Sequence, residues 1–191
     1  MVPGTHQRNL FIGLIICAAA VCALSTTGSM LAPPELHRKM ELSSVAFKDG
    51  QPIPSQFTCD DKNISPALAW KGAPEGTESF VLIVDDPDSP TGVWTHWVMF
   101  NLPADSLGLA EDAVKSKTTS PSVRQCLNDF KNIGYGGPCP PAGKAHRYFF
   151  KLFALDTPLN LQSGASRKDV EAAMTKHILA QGQLVGTYQR K

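Results

Sequence analysis

Charge is scarce in this sequence. Asp, Glu, Lys and Arg make up 18% of the 191 residues, below the ~25% of an average globular chain. Neither sign dominates, with 18 Lys and Arg against 17 Asp and Glu. That balance leaves no broad basic face, so no nucleic-acid partner is expected. No GxSxG, P-loop, HExxH or zinc-type cysteine cluster occurs, which removes the serine-hydrolase, nucleotide-hydrolase and zinc-protease signatures. No internal repeat is visible. Apolar residues reach 42%, enough to bury a core, so wholesale disorder is excluded. Gly and Pro contribute 15 residues each, a loop-rich composition that argues against a helical bundle.

The N-terminal segment stands apart. Leu10 to Leu24 reads LFIGLIICAAAVCAL, uncharged, mostly apolar and preceded by Arg8. It is shorter than the ~20 apolar residues of a spanning helix and fits the core of a secretory signal. The small residues around Ala23 and Ser25 suit cleavage, so residues 1–25 are expected to be a signal peptide. No charge follows until Glu35, which keeps open an uncleaved membrane anchor. A lipoprotein signal at Cys17 or Cys22 fits less well, because the larger Ile16 and Val21 precede them. Each reading exports the chain, to the periplasm or beyond. Residues 26–39, with Pro33 and Pro34, read as a flexible tether, and residues 40–191 as one domain.

Three cysteines remain past the signal: Cys59, Cys126 and Cys139. In an oxidising compartment an odd count implies one pair and one free thiol. Cys59 and Cys139 both sit in turn-rich segments and are the expected pair, although sequence alone leaves the connectivity open.

Strands dominate the domain. Phe80 to Val84 (FVLIV) is a continuous apolar run, as in a strand buried on both faces. Val93 to Leu102 and Arg147 to Leu155 are rich in aromatic and β-branched residues. Leu184 to Gln189 reads as a last strand. Pro and Gly separate these runs at short spacing, which favours an antiparallel β-rich fold. One helix follows the 3.6 period through Val170, Ala173, Met174, His177 and Ile178. Ser166 and Asp169 would cap its start and Gly182 its end, with His177 packed at the stripe's edge. A weaker helix is expected over Leu109 to Lys115. Residues 116–145 form a long turn-rich stretch, of the kind that is usually functional or pinned down.

Three short motifs carry possible chemistry. Asp85-Asp86-Pro87-Asp88-Ser89-Pro90 follows the buried strand directly, and its prolines stiffen the turn. Taken alone it reads better as a structural turn in which Asp side chains cap local backbone N–H groups. In Trp94-Thr95-His96-Trp97, alternation predicts one shared face for Trp94, His96, Val98 and Phe100. It likewise groups His146, Tyr148, Phe150 and Leu152. In Gly136-Gly137-Pro138-Cys139-Pro140-Pro141, the glycines would allow backbone N–H groups to form an anion nest.

DPDSP, WTHW and GGPCPPAGKAHRY, in this order, resemble the phosphatidylethanolamine-binding protein family. NISPALAW, the Asn128-Asp129 pair and LVGTYQR resemble its bacterial YbhB/YbcL (Raf kinase inhibitor-like) branch. The resemblance covers about residues 40–190. It implies a mainly β fold, a sandwich of two antiparallel sheets with one or two peripheral helices. It also implies a small anion-accepting cavity at one end. Matched motif to motif, the ligand-binding residues would be Asp86, Asp88, Trp94, His96, Gly136, Gly137, Pro140, His146 and Tyr148. Thr95 stands where eukaryotic members often carry a second histidine, and Cys139 interrupts the glycine-proline loop.

The expected function is non-catalytic binding of phosphate or a phospholipid headgroup. It requires no metal and no cofactor. An enzyme is the weaker reading. A two-histidine, one-carboxylate metal site would draw on three separate segments, and a Cys139–His146 nucleophile pair conflicts with the expected disulfide. A third reading is an inhibitor or modulator of a partner protease or kinase, acting through the cavity rim or through Ser116 to Ser122. Membrane contact is expected only through an uncleaved N-terminal segment.

Overall fold

The computed structural model describes residues 38–113 and 122–191, together with Met1, Val2 and Gly4. The chain divides into two compact units, Met1–Glu35 and Leu36–Lys191, and the architecture that follows is that of the second. The expected signal peptide and most of the tether lie outside the described residues, as does most of Ser116 to Ser122. Among the described residues no helix is long and apolar enough to cross a membrane.

Among the described residues, nine strands, one α-helix and a short 3-10 helix at Ser55–Phe57 form the domain. The strands and the α-helix are β1 (Arg38–Lys39), β2 (Glu41–Ser43), β3 (Leu68–Lys71), β4 (Ser79–Asp86), β5 (Trp94–Pro103), β6 (Gly108–Leu109), β7 (Arg124–Gln125), β8 (His146–Leu155), α1 (Arg167–Met174) and β9 (Ile178–Tyr188). Six strands make one sheet in the order β1-β9-β8-β4-β5-β7, and β2-β3-β6 make the other. Every pairing of named strands is antiparallel except β1 with β9. The fold is therefore mainly β with two sheets, as expected. Arg38 and Lys39 belong to the sheet rather than to a tether, because they pair with Ala180 and Gln181.

The large sheet is buried on both faces. One face packs Phe80, Leu82, Val84, Trp97, Phe150 and Leu152 against Trp70 and Leu42 of the small sheet. The other packs Val81, Ile83, Val98 and Phe100 against Val170 and Met174 of α1. β4 crosses the middle of this arrangement, which explains its uninterrupted apolar run: alternate side chains enter two different cores. Fully burying one such aliphatic or aromatic side chain contributes about 1.5–3 kcal/mol.

Four sequence expectations fail here. α1 begins where the capping box predicts, with Ser166 Oγ accepting the N–H of Asp169 and Asp169 reaching back to the Ser166 N–H. It ends at Met174, before Ile178, because that residue pairs with Leu155 as the start of β9. Gly182 is consequently no helix stop. It sits inside β9, where an added Cβ would lie 2.9 Å from the Met40 carbonyl oxygen. His177 is half exposed and holds Asp156 at 2.8 Å instead of packing into the core. The second expected helix is absent: Leu109 lies in β6 and residues 111–113 form a turn; residues 114 and 115 lie outside the described residues.

Candidate functional site

A cavity of about 200 Å³ opens where the end of β4, the starts of β5 and β8, and the loop before β8 meet. Asp86, at the last position of β4, and His146, at the first of β8, lie at its base and are both buried. Oδ2 of Asp86 meets Nδ1 of His146 at 2.7 Å. The other carboxylate oxygen accepts the N–H of Asp88 at 2.8 Å, so the stiff Pro87 turn holds this aspartate in one rotamer. A carboxylate only accepts, so the shared proton belongs on His146 Nδ1. The ring is thereby oriented with Nε2 as its free nitrogen.

His96 is placed by a bulge. Along the β4–β5 pair the register runs Val84 with Trp97, then Asp85 with Thr95. One extra residue on β5 therefore opposes β4, and a bulge of this kind re-aims a side chain. His96 turns toward the cavity and packs edge-on against Tyr148 at 5.1 Å and Phe130 at 5.3 Å. The predicted shared face is broken at this point. Val98 and Phe100 enter the core beneath α1, while Trp97 joins the core between the sheets.

The Nδ1 of His96 lies 2.7 Å from the Gly136 carbonyl oxygen. A carbonyl also only accepts, so this ring too carries its proton on Nδ1 and leaves Nε2 free. Burial pushes the pKa of His96 below the ordinary histidine value, and the Gly136 carbonyl opposes this in part. The resting ring is neutral, and its Nε2 is an acceptor.

Trp94 and Phe130 form an aromatic wall, with ring centroids 5.5 Å apart. Pro140, Pro141 and Cys139 form the facing wall, and Ser89, Pro90 and Thr91 the rim. The disulfide joins Cys59 to Cys139, the expected pair. Cys126 is the free, buried thiol, and desolvation pushes its pKa up to about 12, which removes it from nucleophilic chemistry.

Four expected ligand contacts are placed elsewhere. Asp88 turns outward and takes both Arg147 Nε and Nη2, at 2.8 and 2.7 Å, plus the Arg147 N–H at 2.9 Å. The side-chain bonds from Arg147 are the main reason its carboxyl falls to about 2. The expected glycine nest does not form. Gly136 donates its N–H to the His96 carbonyl and Gly137 donates to Asn63 Oδ1 at 2.7 Å, so neither donor is free for an anion. These two positions need glycine for closeness: a Cβ on Gly136 would meet the Phe130 ring at 2.5 Å, and one on Gly137 the Phe57 carbonyl at 2.3 Å. Tyr148 is fully buried beneath His96, and burial raises the pKa of its hydroxyl.

Sequence reasoning brought Asp86, Trp94, His96, Pro140 and His146 to the cavity and missed Phe130 as a wall. The signal was present in Asn128-Asp129-Phe130. Asp129 Oδ2 accepts the Thr95 N–H at 2.6 Å and Asn128 Nδ2 donates to the Gly134 carbonyl at 3.0 Å. Together they hold that turn over β5. Among the described residues no group of three or more His, Cys, Asp or Glu is placed to hold a metal ion.

The comparisons with known proteins agree with this fold. The model of the phosphatidylethanolamine-binding protein family matches residues 43–189. A UPF0098 protein of Aquifex aeolicus is 53% identical over 153 residues, spanning 79% of this chain and 89% of the relative. A UPF0098 protein of Methanothermobacter thermautotrophicus is 51% identical, spanning 79% of this chain and 99% of the relative. Among solved structures, YbcL of Escherichia coli, described as a member of the mammalian family, superposes with a TM-score of 0.75 at 34% identity. That match covers 80% of this chain and 99% of YbcL. A homologue from Chlamydia trachomatis gives a TM-score of 0.73 at 38% identity, covering 81% and 99%. This chain belongs to the phosphatidylethanolamine-binding protein family.

Proposed function

We propose that this protein is an exported, non-catalytic binder of small phosphate-bearing ligands, phospholipid headgroups among them. The observation that carries this reading is the pair of buried histidines, each pinned through Nδ1 and each bordering one small cavity. A phosphate monoanion brings one acidic hydrogen and several acceptor oxygens. The hydrogen suits the acceptor Nε2 of neutral His96, and the oxygens suit the Nε2–H that the His146 ring presents in its doubly protonated form. The mainly apolar aromatic and proline walls lower the local dielectric, which strengthens such bonds. Asp86 orients His146 instead of facing the anion alone. The half-buried disulfide supports passage through an oxidising compartment.

Calorimetry on the purified protein tests this with phosphorylethanolamine and inorganic phosphate, at about pH 5.5 and about pH 7.5. Binding that is tighter at the lower pH and lost in His96→Ala and His146→Ala, with both variants folded by circular dichroism, is the expected result. Folded protein that binds neither ligand at millimolar concentration would sink the reading. Capture of a protein partner that survives both substitutions would favour the alternative, an inhibitory surface at the rim. Export is tested by the N-terminal mass of the protein recovered from its native host.

A further inference from the structure

The Cys59–Cys139 disulfide fastens the cavity wall. It ties Cys139, which lines the cavity, to the turn that follows Ser55–Phe57. The adjoining chain has few other ties. Pro138, Pro140 and Pro141 have no N–H to donate. The Pro138 carbonyl accepts the Cys59 N–H at 3.1 Å. Beyond Cys139, the next tie among the described residues is Gln189 Nε2 to the Gly143 carbonyl, at 2.6 Å. Few hydrogen bonds therefore hold the Cys139-Pro140-Pro141 wall, and besides the packing of buried Pro138 and Pro140 its one crosslink is the covalent bond.

The two sulfurs also sit in unlike fields. Asp60 Oδ1 lies 4.0 Å from Cys59 Sγ, and Arg190 Nη1 lies 4.0 Å from Cys139 Sγ. Both charges are held in place: Arg190 Nε meets Asp60 Oδ1 at 2.9 Å, and Tyr188 donates its hydroxyl to Asp60 Oδ2 at 2.8 Å. Both cysteines are half-buried rather than sealed. In thiol–disulfide exchange one sulfur departs as a thiolate, and a nearby cation stabilises a thiolate. Negative charge is favoured on Cys139, beside Arg190, and disfavoured on Cys59, beside Asp60.

We propose that this disulfide is a site of exchange with small thiol reductants, polarised so that Cys59 is attacked and Cys139 leaves, and that its opening weakens the cavity. The last clause rests on the cavity being the binding site. In the first step a reductant thiolate attacks Cys59 Sγ. A new S–S bond forms there as the Cys59–Cys139 bond breaks, and Cys139 leaves as the thiolate. A second reductant thiolate then attacks the outer sulfur of the mixed disulfide and expels Cys59. Two reductant thiols are oxidised to their disulfide, the protein disulfide takes up two electrons, and the two thiol protons pass to the cysteines.

The test exposes the full oxidised chain briefly to glutathione, quenches with iodoacetamide and maps the peptides by mass spectrometry. Glutathione on Cys59 with carbamidomethyl on Cys139 is expected, and Arg190→Gln should slow opening about threefold or more and scramble the placement. Equal placement, glutathione chiefly on Cys139, or no opening of the folded protein would each overturn the exchange claim. Phosphorylethanolamine is then titrated into oxidised protein, reduced protein and the Cys59→Ser/Cys139→Ser double variant. Binding about tenfold weaker in the last two, restored in the reduced sample by reoxidation, is expected from a loosened wall. Equal affinity in all three overturns the cavity clause. Oxidised protein that binds nothing defeats the proposed function and with it that clause, while the glutathione map still decides the exchange.

Discussion

Nδ1 of His146 lies 2.7 Å from Oδ2 of Asp86, and both side chains are buried. The two residues are 60 positions apart, yet each occupies the end of a strand in one sheet. Asp86→Ala removes the group that orients His146 and also the acceptor for the Asp88 N–H. Affinity for phosphorylethanolamine is expected to fall about tenfold, and stability by about 2 kcal/mol, the scale of hydrogen bonds to a charged group. Calorimetry and urea denaturation read the two effects separately. An unchanged affinity would remove His146 orientation from the binding mechanism.

His96 makes stability depend on pH. Its folded pKa is lowered by burial, so the unfolded chain takes up a proton at about pH 6.5 while the folded chain does not. The unfolded state then binds more protons, and stability must fall as pH drops below that value, by at most about 1.4 kcal/mol per pH unit. The loss ends once pH passes below the lowered folded pKa. Denaturation curves at closely spaced pH should show this slope, and His96→Gln should flatten it. A slope of the same size in His96→Gln would assign it to other groups.

Asp88 should prove dispensable for the ligand. Its carboxylate faces Arg147 rather than the cavity. Asp88→Asn is expected to cost under about 1 kcal/mol, because the pair is largely solvated, and to leave phosphate affinity within about threefold. Its folded pKa of about 2 lies below the ordinary value of 3.8. The contribution is therefore present above pH 4 or so and lost as pH falls toward 2. An affinity collapse in Asp88→Asn would show that the side chain turns inward when ligand binds.

Gly137→Ala probes backbone contact without touching any ionisable group. The added methyl would lie 2.3 Å from the Phe57 carbonyl oxygen and 2.9 Å from the Thr58 Cα. Neither is the end of a flexible side chain, so the loop must shift. A destabilisation of about 3 kcal/mol is expected, measured by the midpoint of chemical denaturation. A change below 0.5 kcal/mol or so would mean that the loop is held far more loosely than its packing implies.

Much of this molecule is written in local pattern. The double burial of β4 is visible in FVLIV, the start of α1 in Ser166 and Asp169, and the disulfide in two turn-rich cysteine segments. Trp94, His96 and His146 enter as site residues through the family resemblance, and the turn-forming stretches before their strands are the only local sign of it. The end of α1 was not reachable: the 3.6 period continues to Ile178, and only pairing with Leu155 draws that residue into β9.

The sequence by itself determined the class of fold and the places of its four longest strands, β4, β5, β8 and β9, and its resemblance to a known family supplied the short list of candidate site residues. The strands follow from side-chain periodicity and turn chemistry, which act over a few residues. Tertiary structure decided which of those side chains face the cavity. A one-residue bulge in β5 aims His96, Arg147 draws Asp88 outward, and Asn63 takes the Gly137 N–H that an anion would have used. Each outcome depends on a partner across the sheet or from a distant loop. Such pairing is settled by satisfying buried donors and acceptors over the whole fold, and no local pattern encodes it.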